Sequence, residues 1–116
     1  MKTIRLLFEC GSNNVFLYDD DGSPLQADLP DEVIDDREIT FLRDRIAEIF
    51  DSTYEDENGE FDQTRTGPML RTAREEMDFV RDVCCFVKLL KDRLDDRYRF
   101  VDEFWTTLER FYSPEE

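Results

Sequence analysis

One long run of helical periodicity, between Met69 and Leu94, constrains this chain more than any other feature. Apolar residues recur there in steps of three and four, which places them on one face of an α-helix. This face consists of Met69, Ala73, Met77, Val80, Cys84, Val87 and Leu94. It is widened on one side by Phe79, Val83, Phe86 and Leu90. So broad an apolar face has to be covered, and it predicts a long central helix packed against a sheet and its neighbours.

Two further helices are predicted on either side of the central one. Asp35 and Glu38 match a variant capping box, and a stripe of apolar residues follows them. The stripe consists of Ile39, Leu42, Ile46, Ile49 and Phe50. Phe41 lies off the stripe, so it is either a rim residue under a loop or an exposed contact residue. The other helix, which ends before Pro114, is predicted from Val101, Phe104, Trp105, Leu108, Phe111 and Tyr112.

The beginning of the chain predicts a small antiparallel β-meander of two or three strands. Residues 3–9 alternate, with Ile4, Leu6 and Phe8 on one face. Residues 15–18 form a second short strand, and residues 23–27 can form a third, which Pro24 would confine to an edge. Residues 97–100 could be a further extended piece, but the sequence leaves open whether they are extended or helical.

These elements predict one α+β domain covering residues 1–116, with the meander packed against three helices. A chain of 116 residues is long enough to bury a real core. The residues expected together in that core are Leu6, Phe8, Ile46, Val80, Cys84, Val87 and Leu108.

The chain is strongly acidic, and this charge limits the partners that it can bind. Fifteen basic against thirty acidic residues give a net charge of −15 at pH 7. A hydrophobic fraction of 40% still favours a folded domain over disorder. Such a surface repels phosphates, which disfavours direct binding to nucleic acid or to an anionic membrane. The charge favours a cationic partner instead.

The residues needed for common catalytic and metal chemistry are missing. Histidine is absent, which removes the commonest general base and the commonest zinc ligand. Neither a phosphate-binding loop nor a dinucleotide-binding glycine run is present. The adjacent Cys84 and Cys85, with Cys10 as an odd third, are expected to be structural, with Cys84 in the core. We therefore expect a protein that is not an enzyme and binds no cofactor.

Two acidic segments have the composition of calcium loops but not the spacing of their ligands. With Gly59 at the turn position of an EF-hand, Tyr54 and Arg65 fall where oxygen ligands are required. With Gly22 at the turn position, Leu17 falls at the first position of the loop, where an oxygen ligand is also required. We expect no dedicated metal site. The sequence also has no signal peptide and no run of about 18 apolar residues, so we expect a cytoplasmic protein that does not enter a membrane.

Three acidic clusters fall in predicted loops, where binding residues concentrate. They lie at residues 19–21, 31–36 and 51–62, and aromatic side chains lie within or beside two of them. Aromatic anchors ringed by carboxylates suit an interface with a basic protein, although charge clusters can also serve only solvation. The expected partner-binding residues are Asp19, Asp20, Asp21, Tyr54, Glu55, Asp56, Glu57 and Glu60.

The order of features at the beginning of the chain resembles one group of bacterial proteins. It runs from a strand and the Cys10-Gly11 turn through VFLYDDDGSPL and ADLPDEV to acidic helices. This order is similar to that of the small acidic immunity proteins of polymorphic toxin systems. The resemblance implies a cytoplasmic protein that binds and neutralises one basic toxin domain, and it supplies no fixed contact residues. Two alternatives stay open: a DNA mimic that inhibits a DNA-binding protein, and a housekeeping acidic protein-interaction module.

Overall fold

A computed structural model describes residues 1–9, 11–52 and 73–105 of the chain. The architecture of this part is α+β, a mixed four-stranded sheet with two helices. The elements in chain order are β1 (Lys2–Leu6), β2 (Val15–Tyr18), β3 (Pro24–Gln26), α1 (Arg37–Ser52), α2 (Ala73–Leu94), a 3₁₀ turn (Asp95–Arg97) and β4 (Tyr98–Asp102). Helical backbone follows β4 at Phe104 and Trp105, where the described part ends.

The sheet has the strand order β3-β2-β1-β4, so β1 is one of its two inner strands. β1 pairs antiparallel with β2 and parallel with β4, and β3 pairs antiparallel with β2. Ile4 therefore lies opposite Leu17 on one side and Phe100 on the other. A parallel pair requires a long crossover connection, and the segment that contains α1 and α2 provides it.

The fourth strand corrects two sequence predictions. The first three strands follow one another as an antiparallel meander, but β4 joins β1 in parallel and makes the sheet mixed. Val101, predicted in a third helix, lies in β4, because Tyr98 and Phe100 alternate with Arg99 and Val101 in a strand pattern. The described residues hold the two helices α1 and α2 rather than three, and residues 106–112 of the predicted third helix lie outside them.

Both helices contribute to one core with the inner face of the sheet. Phe8, just after β1, is the point where the layers meet. Its ring centroid lies 4.9 Å from that of Phe50 in α1, 5.4 Å from that of Phe79 in α2 and 4.3 Å from that of Phe104. Ring pairs at such distances contribute about 0.5–1.5 kcal/mol each beyond the area that they bury.

The stripe predicted for α1 is confirmed, since Ile39, Ile46 and Phe50 are buried and Leu42 and Ile49 are partly buried against the core. The cap of this helix is one residue later than predicted.

Asp36, rather than Asp35, accepts hydrogen bonds from the backbone N–H groups of Glu38 at 3.1 Å and Ile39 at 3.2 Å. The N–H of Ile39 is the main reason that the pKa of Asp36 lies below its ordinary value. Phe41 is 63% exposed, which favours the exposed alternative over the rim.

The buried face of α2 is offset from the predicted one. Cys84 and Met77 are exposed and Val87 is only partly buried, so placing Cys84 in the core was wrong. The side predicted only to widen the stripe is the centre of the contact. The buried residues are Phe79, Val80, Val83, Phe86, Leu90 and Leu94. Turning two phenylalanine rings toward the sheet removes more apolar area from water than turning a thiol and a thioether there.

Of the remaining residues expected in the core, Leu6, Phe8, Ile46 and Val80 are buried, whereas Leu108 lies outside the described residues.

The orientation of α2 can be tested by comparing two substitutions two residues apart. Phe86→Ala should lower the free energy of unfolding by about 3–5 kcal/mol, because it empties a buried ring site. Cys84→Ala should change it by less than about 0.5 kcal/mol, because the side chain is exposed. Urea titrations followed by circular dichroism would measure both values. A larger loss for Cys84→Ala than for Phe86→Ala would show that the assigned face is wrong.

Candidate functional site

The turn between β2 and β3 presents three successive carboxylates of the predicted contact set. In this acidic turn, residues 19–23, the Asp19 N–H donates to the Ser23 carbonyl and the Gly22 N–H to the Asp19 carbonyl, both at 2.9 Å. Gly22 has φ +86°, a left-handed conformation that glycine adopts without steric cost. The turn is therefore closed by its own backbone.

Side-chain hydrogen bonds further order this turn. Oδ1 of Asp19 accepts the N–H of Asp20 at 2.8 Å, and Oδ1 of Asp21 accepts the N–H of Ser23 at 2.9 Å. Hydrogen bonding by the Ser23 side chain is the main reason that the pKa of Asp21 lies below its ordinary value. Asp20 and Asp21 are exposed, and Asp19 is half-buried. The three carboxylates are thus held in a defined backbone loop.

Little positive charge opposes the acidic turn. Among the described residues, the cation paired with it is the terminal ammonium of Met1, which lies against Asp20. No described lysine or arginine forms an ion pair with Asp19 or Asp21. Apolar surface lies beside the turn, where Leu25 of β3 is 45% exposed and Tyr18 is half-buried.

The turn belongs to a stretch without basic residues, from residue 6 to residue 36. Its carboxylates are Glu9, Asp19, Asp20, Asp21, Asp28, Asp31, Glu32, Asp35 and Asp36. Besides Asp20, which lies against the Met1 ammonium, three of the nine have partners elsewhere in the fold.

Asp28 pairs with Arg43 of α1 at 2.9 Å, and Asp36 pairs with Arg93 of α2 at 3.1 Å. The third, Glu32, accepts a hydrogen bond from the hydroxyl of Tyr98 in β4 at 2.5 Å. The predicted cluster at residues 31–36 is therefore divided, because two of its four carboxylates hold the fold together.

The Glu32–Tyr98 hydrogen bond ties the acidic loop to the edge of the sheet. Tyr98 is 8% exposed, and burial, followed by the hydrogen bond to Glu32, raises its pKa to about 12. The hydroxyl in turn lowers the pKa of Glu32, because it stabilises the carboxylate. Sequence patterns do not indicate this pair, since 66 positions separate its members.

The other predicted contact residues, Tyr54, Glu55, Asp56, Glu57 and Glu60, lie outside the described residues, and their role stays a prediction. Asp51, the first carboxylate of that cluster, lies near the end of α1. Its Oδ1 accepts the N–H of Gly11 at 3.0 Å, so this carboxylate helps to hold the β1–β2 turn.

A second surface feature was not predicted, a groove between α2 and β4. Its volume is about 350 Å³, and it is lined on the helix side by Val83, Cys84, Val87, Lys88, Lys91 and Asp92. Asp102 and the 48% exposed Trp105 line the other side. Partial burial, followed by the charges of Cys85 and Asp102, raises the pKa of the Cys84 thiol. A raised pKa lowers the thiolate fraction and therefore the nucleophilicity of this cysteine at neutral pH.

No protein-family model matches the chain, and no curated protein is significantly similar to it. The resemblance to immunity proteins therefore stays a prediction. In the described parts of the chain, no helix has the length and apolarity needed to cross a membrane. Over the same residues, no three side chains of aspartate, glutamate or cysteine form a group that could hold a metal ion.

The Glu32–Tyr98 hydrogen bond predicts a defined pH dependence of stability. The pKa of Glu32 is depressed from 4.5, so its contribution is present above about pH 5 and is lost as the pH falls. The pKa of Tyr98 is raised from 10.0 to about 12, so its contribution is lost as the pH rises through that interval. Tyr98→Phe should cost about 1 kcal/mol at neutral pH and progressively less at both extremes.

Urea titrations of both proteins across the pH range would measure this difference. Glu32→Gln is the control, because it should flatten the acid limb and leave a weaker neutral hydrogen bond. A cost for Tyr98→Phe that is the same at acidic, neutral and alkaline pH would contradict the assigned coupling.

Calcium should stabilise the protein only weakly and without selectivity. Millimolar calcium and magnesium should raise the Tm by similar small amounts, because both screen the repulsion among carboxylates. Thermal melts followed by circular dichroism would measure the shift. A large rise with calcium that magnesium does not reproduce would reveal a dedicated site.

Proposed function

We propose that this chain is an inhibitor that binds one basic protein through its acidic face, as a cytoplasmic immunity protein does with its cognate toxin domain. The observation that carries the proposal is the acidic turn. Its backbone is closed by hydrogen bonds, and its three carboxylates have no partner among the described lysines and arginines. Such a preformed anionic loop, compensated among the described residues only by the terminal ammonium beside Asp20, is suited to a cationic surface.

The division of the carboxylates supports this function over plain solvation. Asp28, Glu32 and Asp36 are held by groups of α1, α2 and β4, which shows that the fold can neutralise acidic side chains where it needs to. No described lysine or arginine neutralises the acidic turn, although like charges crowded together oppose folding. A net charge of about 2–8 in magnitude is enough for solubility, and this chain carries −15.

The charge also provides a mechanism for fast capture. A cleft that binds phosphate in a nuclease toxin is basic, and carboxylates at matched spacing can fill it. Complementary charge steers the encounter, and association rate constants can then reach about 10⁸–10⁹ M⁻¹s⁻¹ at low salt. The exposed Leu25 and half-buried Tyr18 beside the turn provide apolar contact area for the docked complex.

Replacing the three aspartates of the turn by asparagine tests the proposal. Asparagine keeps a side-chain oxygen for the hydrogen bonds of Asp20 N–H and Ser23 N–H, so the turn should retain its shape. The proposal takes as the partner a basic toxin domain that is the product of a neighbouring gene, and stopped-flow mixing with it at low and high salt gives the association rate. The triple variant should associate about tenfold more slowly at low salt, with a shallower salt dependence.

A matched control removes the same charge elsewhere. Glu48, Asp92 and Asp96 are exposed, and their replacement by the corresponding amides gives the same net charge as the turn variant. The control should associate at nearly the rate of the parent. Equal slowing in the two variants would mean that only net charge matters, and no slowing in either would remove the turn from the interface.

Specificity separates this proposal from the two alternatives. An immunity protein should block its cognate toxin and leave unrelated DNA-binding proteins unaffected. A DNA mimic should inhibit several unrelated DNA-binding proteins, and a housekeeping module should do neither. Inhibition assays with the toxin domain and a panel of DNA-binding proteins would distinguish the three.

A further inference from the structure

Among the described residues, β4 is an edge strand, and its outer side presents backbone groups that pair with no other described strand. The Glu103 N–H donates to the Leu6 carbonyl at 2.8 Å, and backbone groups alternate in direction along a strand. The other odd-numbered residues of β4 therefore also face β1. The N–H and C=O groups of Tyr98, Phe100 and Asp102 point to the free side of the sheet, where β4 pairs with no other described strand.

The two edges of the sheet differ in how well they are protected against pairing with another chain. β3, at one edge, has three residues, begins with Pro24 and meets β2 with a register shift between Leu17 and Tyr18. Short strands, proline and bulges are the features that block edge-to-edge pairing. β4 is five residues long, contains two aromatic residues, and has neither a proline nor a register shift.

The groove between α2 and β4 adds apolar surface along this open edge. Phe100 is half-buried beneath Lys91, whose Nζ lies 5.9 Å from the ring centroid, and Lys91 also lines the groove. Val87 is partly buried and Trp105 is 48% exposed there. A strand added to β4 would place alternate side chains against this surface, as strand addition requires.

We infer that β4 pairs antiparallel with β4 of a second copy, about a two-fold axis at Phe100. Phe100 has its N–H and C=O on the free side, so the two copies can exchange both hydrogen bonds at this position. The same register places each Tyr98 opposite the Asp102 of the other copy. The two sheets then become one continuous sheet.

In this register, the side chains of β4 and of the residues beside it are complementary to those of the second copy. Arg97 lies opposite Glu103 of the second copy, where it extends the ion pair that Glu103 forms with Arg5 of its own copy at 2.8 Å, and this arrangement occurs twice. Asp102 of the second copy comes beside Tyr98, near Lys91. Arg99 lies opposite Val101, so no like charges face each other directly along the strand.

The distribution of charge permits this contact despite the net charge of −15. Basic side chains from Lys88 to Arg99 accompany the acidic ones around β4. The acidic turn follows β2, and strands lie about 4.8 Å apart, which puts two inter-strand spacings between β2 and β4. The dimer therefore leaves the acidic turn accessible, and the inference does not depend on the proposed function.

Sedimentation velocity over a range of protein and salt concentrations tests the inference. The chain should be monomeric when dilute and dimeric when concentrated, and salt should strengthen the dimer because it screens the net repulsion. Binding of a basic partner should weaken with salt instead. A chain that is monomeric at every concentration and salt level would overturn the inference.

Two substitutions of Phe100 test whether the outer edge of β4 forms the contact between the copies. Phe100→Pro removes an N–H that points to the free side and leaves the hydrogen bonds between β1 and β4 in place. Phe100→Ala removes the same ring and keeps the N–H. The proline variant should bind itself about 10- to 100-fold more weakly than the alanine variant, because two hydrogen bonds between the copies are lost. Equal dimerisation of the two variants would overturn the inference.

Amide hydrogen exchange decides the case in which both variants are monomeric. In the parent, the amides of Phe100 and Asp102 should be protected only at high protein concentration. The amides of Val101 and Glu103, which face β1, should be protected at every concentration and serve as the internal control. Phe100 and Asp102 amides that exchange equally fast at all concentrations would overturn the inference.

Discussion

The packing of Phe8 is the interaction on which the arrangement of the other elements depends. Its ring contacts Phe50 of α1, Phe79 of α2 and Phe104 after β4. One side chain just past the end of β1 therefore sets the distance between the sheet and both helices. The phase of α2 follows from this contact, because α2 can reach the Phe8 ring only with the face that carries Phe79, Val83 and Phe86.

With the core fixed in this way, the ionic side chains divide into those that support the fold and those that are available to a partner. The ion pairs Arg45–Asp82 and Arg93–Asp36 join α2 to α1 and to its cap. Ion pairs near the surface contribute little energy, and these two connect the start of α1 with the end of α2 and the middles of the two helices, as in an antiparallel pair. The carboxylates of the acidic turn bond to their own turn and to the Met1 ammonium rather than to the helices, so a change of their charge should leave the helix scaffold intact.

Local periodicity explains which elements could be predicted from the sequence. The strands at the beginning of the chain and the stripe of α1 depend on residues a few positions apart, and both were predicted with the correct faces. The face of α2 was misplaced because a count of apolar positions weighs Cys84 as heavily as Phe86. β4 was assigned in part to a helix because its partner, β1, is distant in sequence and Val101 also fits a helical spacing with Phe104 and Trp105.

The candidate site shows the same division between local and distant signals. The residues of the acidic turn were predicted from their aspartate run and glycine, which is a local signal. The structural roles of Glu32 and Asp36 depend on Tyr98 and Arg93, which only the folded chain brings near them. Composition alone therefore overstates how many carboxylates are available for binding.

The pairing of β1 with β4 also has a consequence for how the chain folds during synthesis. Lys2 pairs with Tyr98, so the inner strand β1 is synthesised almost 100 residues before the strand with which it pairs in parallel. Pairings so distant in sequence are slow to form, because a long loop must close first. Until β4 is made, one side of β1 is an unpaired strand edge. Partly folded chains with such an edge are prone to aggregation. The stretch without basic residues that follows β1 adds electrostatic repulsion between chains during this interval, which opposes their association before they are folded.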